Sequence, residues 1–436
     1  MAVETARHEH GGARADFAID PWLVVAFAFP LLRLIVVDIG GKLYAQDIAA
    51  VVLAVFLLTQ PDTAQRLGQI RTMLLLLLLW LLGQVMTDIY RESAAADFVR
   101  GWSRIGFFGV QLIALWLFVV RRPAYLIAYS LGFAAASGLA VLQLEAPLNT
   151  EPWKFGLGIA VSTVVAVLVS AALPGTAMLR RFAGPAMIAL ALLLLFENSR
   201  AGFGIALISG VYCMVSQALQ TGGLSGTRLT KFHFAAMLLG GLAVVQAATA
   251  IYGSLAESGT LGDAARAKYE LQTRGDINLL QGGRIESLVS TVAIADSPIL
   301  GHGSWARDYR YMRLLRNRAK ELGLTLQGDT AALRKDTIPS HSYLFGAWVD
   351  AGIFGGLFWL YILSMCLLGA YRLLGVPQLF LPLSIFAILT LVWNTLFSPF
   401  GADSRFIAAY HVVILFWVIR NGDAILAQAS RMNRGP

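Results

Sequence analysis

Apolar residues fall in long blocks along this chain, near positions 22–37, 43–60, 71–87, 104–120, 123–143, 155–173, 184–198, 201–219, 232–252, 342–371, 378–397 and 406–420. Few charges interrupt them. A helix needs about 20 such residues to cross about 30 Å of hydrocarbon, and a helix satisfies its own backbone where no water is available. The blocks therefore predict an all-α polytopic membrane protein of about 12 transmembrane helices, the first and seventh being short for the task. Nothing marks a soluble domain boundary or an internal repeat, so residues 1–436 read as a single membrane domain.

The pattern breaks at residues 253–340, one large polar loop between predicted helices 9 and 10. Connections this long inside a compact fold are usually functional or disordered, and helical periodicity argues against disorder. From Gly303 to Leu322 one stripe carries Trp305, Tyr309, Met312, Leu315, Ala319 and Leu322, while Arg307, Arg310, Arg313, Arg316 and Lys320 line the other. Such a basic amphipathic helix is expected on a membrane surface, its arginines among lipid phosphates; the competing reading is a solvated cationic face. Upstream, a short helix over 285–295 must end before Pro298. The glycines around His302, in Leu300-Gly301-His302-Gly303, give a turn whose amides can approach an anion.

Composition agrees with the blocks: 57% of residues are hydrophobic, 14% are charged, and the mean hydropathy is +0.66. Arginine placement sets an expected orientation. Arg66, Arg71, Arg121, Arg122, Arg180, Arg181, Arg228, Arg372 and Arg420 fall in alternate connections, which are assigned to the cytoplasm together with both termini. The long loop then faces the other side, the periplasm in a bacterial inner membrane. The net charge of +8 is thereby a topological signal, and nucleic acid is not expected as a partner. The first 20 residues lack the basic start and cleavage site of a secretory signal, so the first span reads as an uncleaved anchor. Cys213 and Cys366 lie inside apolar blocks, where neither disulfide nor thiol chemistry is expected.

Arginine is the side chain to follow, because its planar fork grips phosphate oxygens and stays charged at any working pH. Arg200 stands in a polar hinge, Glu197-Asn198-Ser199-Arg200, between two apolar blocks; the competing reading is a contact to Glu197 or Asn198 that caps the hinge. Arg284 opens the short loop helix, and Arg405 is expected to pair with Asp403. His341, in Pro339-Ser340-His341-Ser342 at the mouth of the next block, has a side chain able to take a proton from a hydroxyl near neutral pH. Its competing reading is a helix-start histidine satisfied by backbone. No carboxylate pair or His/Cys cluster on the loop side has metal-ligand spacing, so neither metal nor cofactor is predicted.

His341-Ser342, nine residues, then Gly352-Ile353-Phe354-Gly355 resembles the motif of O-antigen ligases and the related region of Wzy-type polysaccharide polymerases. Ser199-Arg200-Ala201-Gly202 looks like the same family's Ser-Arg segment at a helix start. Gly283-Arg284 followed by Pro298-Ile299-Leu300-Gly301-His302-Gly303 resembles its Gly-Arg and Pro-Leu-Leu-Gly-x-Gly block. The resemblance covers about residues 180–400 and departs at Glu286-Ser287-Leu288, where many members carry tryptophan after the arginine. It implies a GT-C-like membrane glycosyltransferase that moves a glycan from undecaprenyl diphosphate to a hydroxyl acceptor without metal. The acceptor is another glycan or a lipid; membrane lipids and a chain-length regulator complete the implied partners. Arg200 and Arg284 then clamp the diphosphate, and His341 activates the acceptor or orients the donor, with Ser342, His302, Arg310 and Arg313 as substrate-binding candidates under a partly helical loop. Polymerase is favoured over ligase. A flippase or transporter, the reading from another class, would show inverted repeats and midplane charge, whereas here charges cluster at block ends with Arg33 as the main exception.

Overall fold

The structure is a computed structural model describing residues 20–119, 121–143, 148, 151–171, 181–221, 231–272, 285–321, 336–375 and 380–432. Helix α1 (Pro21–Ala28) starts on Asp20, whose carboxylate accepts from Trp22 N at 3.0 Å, and continues as a 3-10 turn over Phe29–Leu34. A small antiparallel hairpin follows, β1 (Val36–Asp38) against β2 (Lys42–Tyr44), with Val36 opposite Tyr44. Then come α2 (Ala45–Leu58), α3 (Thr63–Gly68), α4 (Arg71–Tyr90), α5 (Ala95–Val119), α6 (Pro123–Leu139), α7 (Gly158–Ala171), α8 (Ala183–Phe196), α9 (Arg200–Leu219) and α10 (Lys231–Glu257). The loop region holds α11 (Asp263–Gln272), α12 (Ile285–Asp296) and α13 (Tyr309–Glu321). The chain closes with α14 (Tyr343–Ala351), α15 (Ile353–Leu373), α16 (Leu381–Phe397) and α17 (Ser404–Met432).

Each apolar block holds helix, and among the described residues six helices, α4, α5, α6 with its 3-10 extension, α7 with its preceding turn, α9 and α15, are long and apolar enough to cross a membrane. That is the architecture of an all-α, multi-pass membrane protein. The helices α2, α8, α16 and α1 with its 3-10 turn are apolar but shorter. The block predicted over 342–371 is two helices, broken at Gly352.

Hydrogen bonds fix which helix ends lie together. At one end Gly375 N donates to Ser216 Oγ at 3.1 Å and Trp116 Nε1 to Arg66 O at 2.9 Å. Ser216 lies near the end of α9 and Gly375 just beyond α15, so these two helices run parallel and both begin at the opposite end. There Ser342 Oγ donates to Thr395 O, near the end of α16, at 2.7 Å. Arg200 and His341 therefore stand at the same end of the bundle. Beneath His341 an aromatic cluster fills the core: Tyr343 packs 4.9 Å from Trp359 and 5.0 Å from Phe400, ring centre to ring centre.

Two charges inside the bundle have partners that local sequence does not show. Arg405, 3% exposed, pairs with fully buried Asp47 rather than with Asp403 as expected. Asp47 is the third residue of α2 and reaches back to Tyr44 N at 3.0 Å, which aims its carboxylate inward; Asp403 sits in an exposed turn before α17. Arg33 donates to Ser137 Oγ at 3.0 Å and lies 4.9 Å from the centre of the Phe133 ring.

Candidate functional site

The polar break closes with an extended segment held by Ile338 N donating to Ala306 O at 3.0 Å, and Pro339 O accepts from Ser290 Oγ of α12 at 2.8 Å. Ser342 then caps α14. Its hydroxyl accepts from Phe345 N at 3.1 Å and donates to Thr395 O, so both roles are in use, and the residue is 1% exposed. The half-buried His341 is carried at the lip of this cap.

At the other end of α14 the chain takes φ +62° and ψ −150° at Gly352, a conformation open to glycine alone. A side chain there would also meet Ile299 O, 2.0 Å from an ideal Cβ. The turn from Pro298 to Gly303 fills the break: Ile353 N donates to Ile299 O at 3.2 Å, His302 N to Val349 O at 2.7 Å and Gly303 N to Asp350 O at 3.0 Å. Trp348 Nε1 adds a bond to Pro298 O at 2.9 Å. The amides expected to face an anion are thus spent on the last carbonyls of α14, which would otherwise lack partners. The His302 ring is engaged too, with Nε2 2.7 Å from Ala293 O and the ring edge-on to Tyr311 at 5.5 Å. Two motif blocks far apart in sequence are one clasp in space.

A second clasp holds the same turn to α4, through residues that motif reading passed over. Asp88, 2% exposed, accepts from Ser304 N at 2.6 Å, Ser304 Oγ at 2.7 Å, Ser93 Oγ at 2.8 Å, Trp102 Nε1 at 2.9 Å and Gln84 Nε2 at 3.2 Å. Arg91 donates to Gly301 O through Nε at 3.1 Å and Nη2 at 2.8 Å, and Thr87 Oγ1 donates to Leu300 O. From α5, Arg104 pairs with Asp350 at 2.8 Å and lies 4.8 Å from the centre of the Trp305 ring. The signal was present as polar spacing: Gln84, Thr87, Asp88 and Arg91 share one face at the end of an otherwise apolar helix.

Arg200 opens α9 at the same end of the bundle, its guanidinium 5.3 Å from the centre of the Tyr252 ring on α10. Arg284 lies outside the described residues.

Helix α13 does not lie with its apolar face on lipid. That face is Tyr311, Met312, Leu315 and Ala319, and it is buried in a second core with Val289, Ala293, Ile338 and Val349. Trp305 and Tyr309 fall off the predicted stripe because the helix starts only at Tyr309, after a backward turn at Trp305 with φ +50°. Arg310 and Arg313 share a groove of about 280 Å³ with Asp296, Tyr311, Leu314 and Asn317. The Arg310 fork grips Asp308 (Nη2 to Oδ2 2.7 Å, Nε to Oδ2 3.0 Å) and holds that carboxyl below the usual aspartate value. Burial, reinforced by the 2.6 Å bond to Asp296, pushes the Tyr311 phenol up.

Neither a scan against protein-family models nor a search of curated proteins returns a match for this chain.

Proposed function

We propose that this chain is a metal-independent membrane glycosyltransferase that passes a glycan from undecaprenyl diphosphate to a hydroxyl acceptor during surface polysaccharide synthesis. Polymerisation is favoured and ligation to lipid A-core is the alternative. One observation carries the reading: segments that resemble the ligase and polymerase motifs converge at one end of the bundle, the Pro298–Gly303 turn closing on the Gly352 break while Arg200 opens α9 and His341 precedes the Ser342 cap of α14 at that same end. Expulsion of a diphosphate needs fixed positive charge more than it needs acid or base, and Arg200 and Arg284 are assigned that role. His341 takes the acceptor proton or orients the donor. On this reading the end carrying His341 faces the periplasm, and both termini face the cytoplasm of a bacterial inner membrane.

The test is complementation of a deletion strain, with surface glycan resolved on gels. His341→Ala or Arg284→Ala is expected to abolish glycan transfer while the protein still accumulates in the membrane; normal glycan length and attachment in either variant would remove these residues from the chemistry. In the deletion itself, single repeats attached to core indicate a polymerase, and long chains left on the lipid carrier indicate a ligase. Repeats trapped on the cytoplasmic side would instead favour transport, the reading for which Arg33, half-buried against Ser137 and Phe133, is the relevant feature.

A further inference from the structure

The Asp88 carboxylate has five donors and no catalytic candidate among them, and its partners include a loop residue 216 positions away. Burying a carboxylate is costly unless its oxygens are bonded, and here they are bonded by groups that belong to four different segments. Gln84 comes from α4, Ser93 from the turn that follows it, Trp102 from α5 and Ser304 from the loop turn. The turn is thereby fixed to the bundle. Its other face donates to Val349 O and Asp350 O, the last turn of α14, and Arg104 holds the Asp350 side chain from α5. α14 is a rigid rod of nine residues, about 13 Å long, with His341 at its far end.

We propose that Asp88, with Arg104, is a positioning residue: it sets the angle and depth of α14 and so the place of His341, although it touches no reacting group. The role rests on the functional reading for its meaning in catalysis and on geometry alone for its mechanics. The fit around the carboxylate is tight enough to be specific. An ideal Cβ at Gly101 would stand 2.0 Å from Ser304 Oγ, and one at Gly303 would stand 2.5 Å from Ser93 Oγ, so even one methyl group on the α5 side would expel Ser304.

Amide hydrogen exchange on the full-length protein in lipid nanodiscs separates mechanics from function. Asp88→Ala is expected to raise exchange at least tenfold at residues 297–304 and 343–351 and to leave α9 unchanged. Gly101→Ala should do the same without altering any polar group. Both are to be read beside Ser304→Ala, which removes a single donor and keeps the fold testable if the stronger variants do not accumulate. Asp88→Asn keeps one acceptor oxygen for the Ser304 donors and should retain more protection and more surface glycan than Asp88→Ala. Unchanged exchange in α14 on loss of Asp88, or full surface glycan in a variant whose α14 has lost its protection, overturns the inference. If the wild-type chain itself supports no surface glycan, the functional reading fails while exchange still decides the positioning role.

Discussion

At the scale of single residues the clearest lesson is Arg405. Two positions separate it from Asp403, and proximity in sequence made that pairing the natural expectation; the partner is Asp47, 358 positions away. Local sequence cannot show this, because the choice is made by which carboxylate the packing carries into the interior. With both side chains almost fully buried, removing one strands the other, at about 3–5 kcal/mol. Asp47→Ala or Arg405→Ala should therefore lower thermal stability in detergent strongly, while Asp47→Leu/Arg405→Met should recover much of the loss. Equal melting of the single variants and the wild type would show that the pair does not act as described. Ser342 teaches the complementary point. The motif names it a substrate-binding candidate, and in the structure its hydroxyl is a helix cap with both roles used.

At the scale of elements, punctuation was legible and orientation was not. Pro298 marks the end of α12, which stops at Asp296, and each apolar block holds helix, though the block over 342–371 is two helices and not one. The stripe on α13 keeps its register at Met312, Leu315 and Ala319, but residues 303–308 are not helical, and Tyr311 rather than Tyr309 is on the buried side. Nor could periodicity say whether that side meets lipid or protein, since both are apolar. Asp308 anchors the start of α13 through Arg310, and its carboxyl sits below the ordinary value of about 4. A depressed carboxyl stabilises the folded state fully above the unfolded value, and the contribution disappears as pH falls through the folded one. Exchange protection at the start of α13 should accordingly hold at pH 5–7 and decline below about pH 4, and Asp308→Asn should abolish that step in the pH profile. An unchanged step in the variant would assign it to another group.

At the scale of the whole molecule, the helices run between two polar ends with aromatic and aliphatic packing between them, an arrangement the block pattern foretold. What it could not foretell is that the loop is welded to the bundle by α4. Asp88 looked unremarkable because its donors are scattered over α4, α5 and the distant loop, and only folding gathers them. That separation has a consequence in time. A ribosome releases α4 long before it reaches Ser304, so the Asp88 end of α4 must wait, hydrated, for a partner that does not yet exist. Assembly then has an order, with α1–α10 threaded before the loop exists and the rim sealed only after it. A chain ending at residue 296 should leave Thr87→Cys open to a water-soluble thiol reagent, whereas in the full chain, where Thr87 is fully buried, the same position should be protected. Early protection in the truncated chain would show that α4 seals by itself. Otherwise, any interruption of synthesis within the loop leaves a membrane protein whose helices are all in place up to that point and whose working end was never closed.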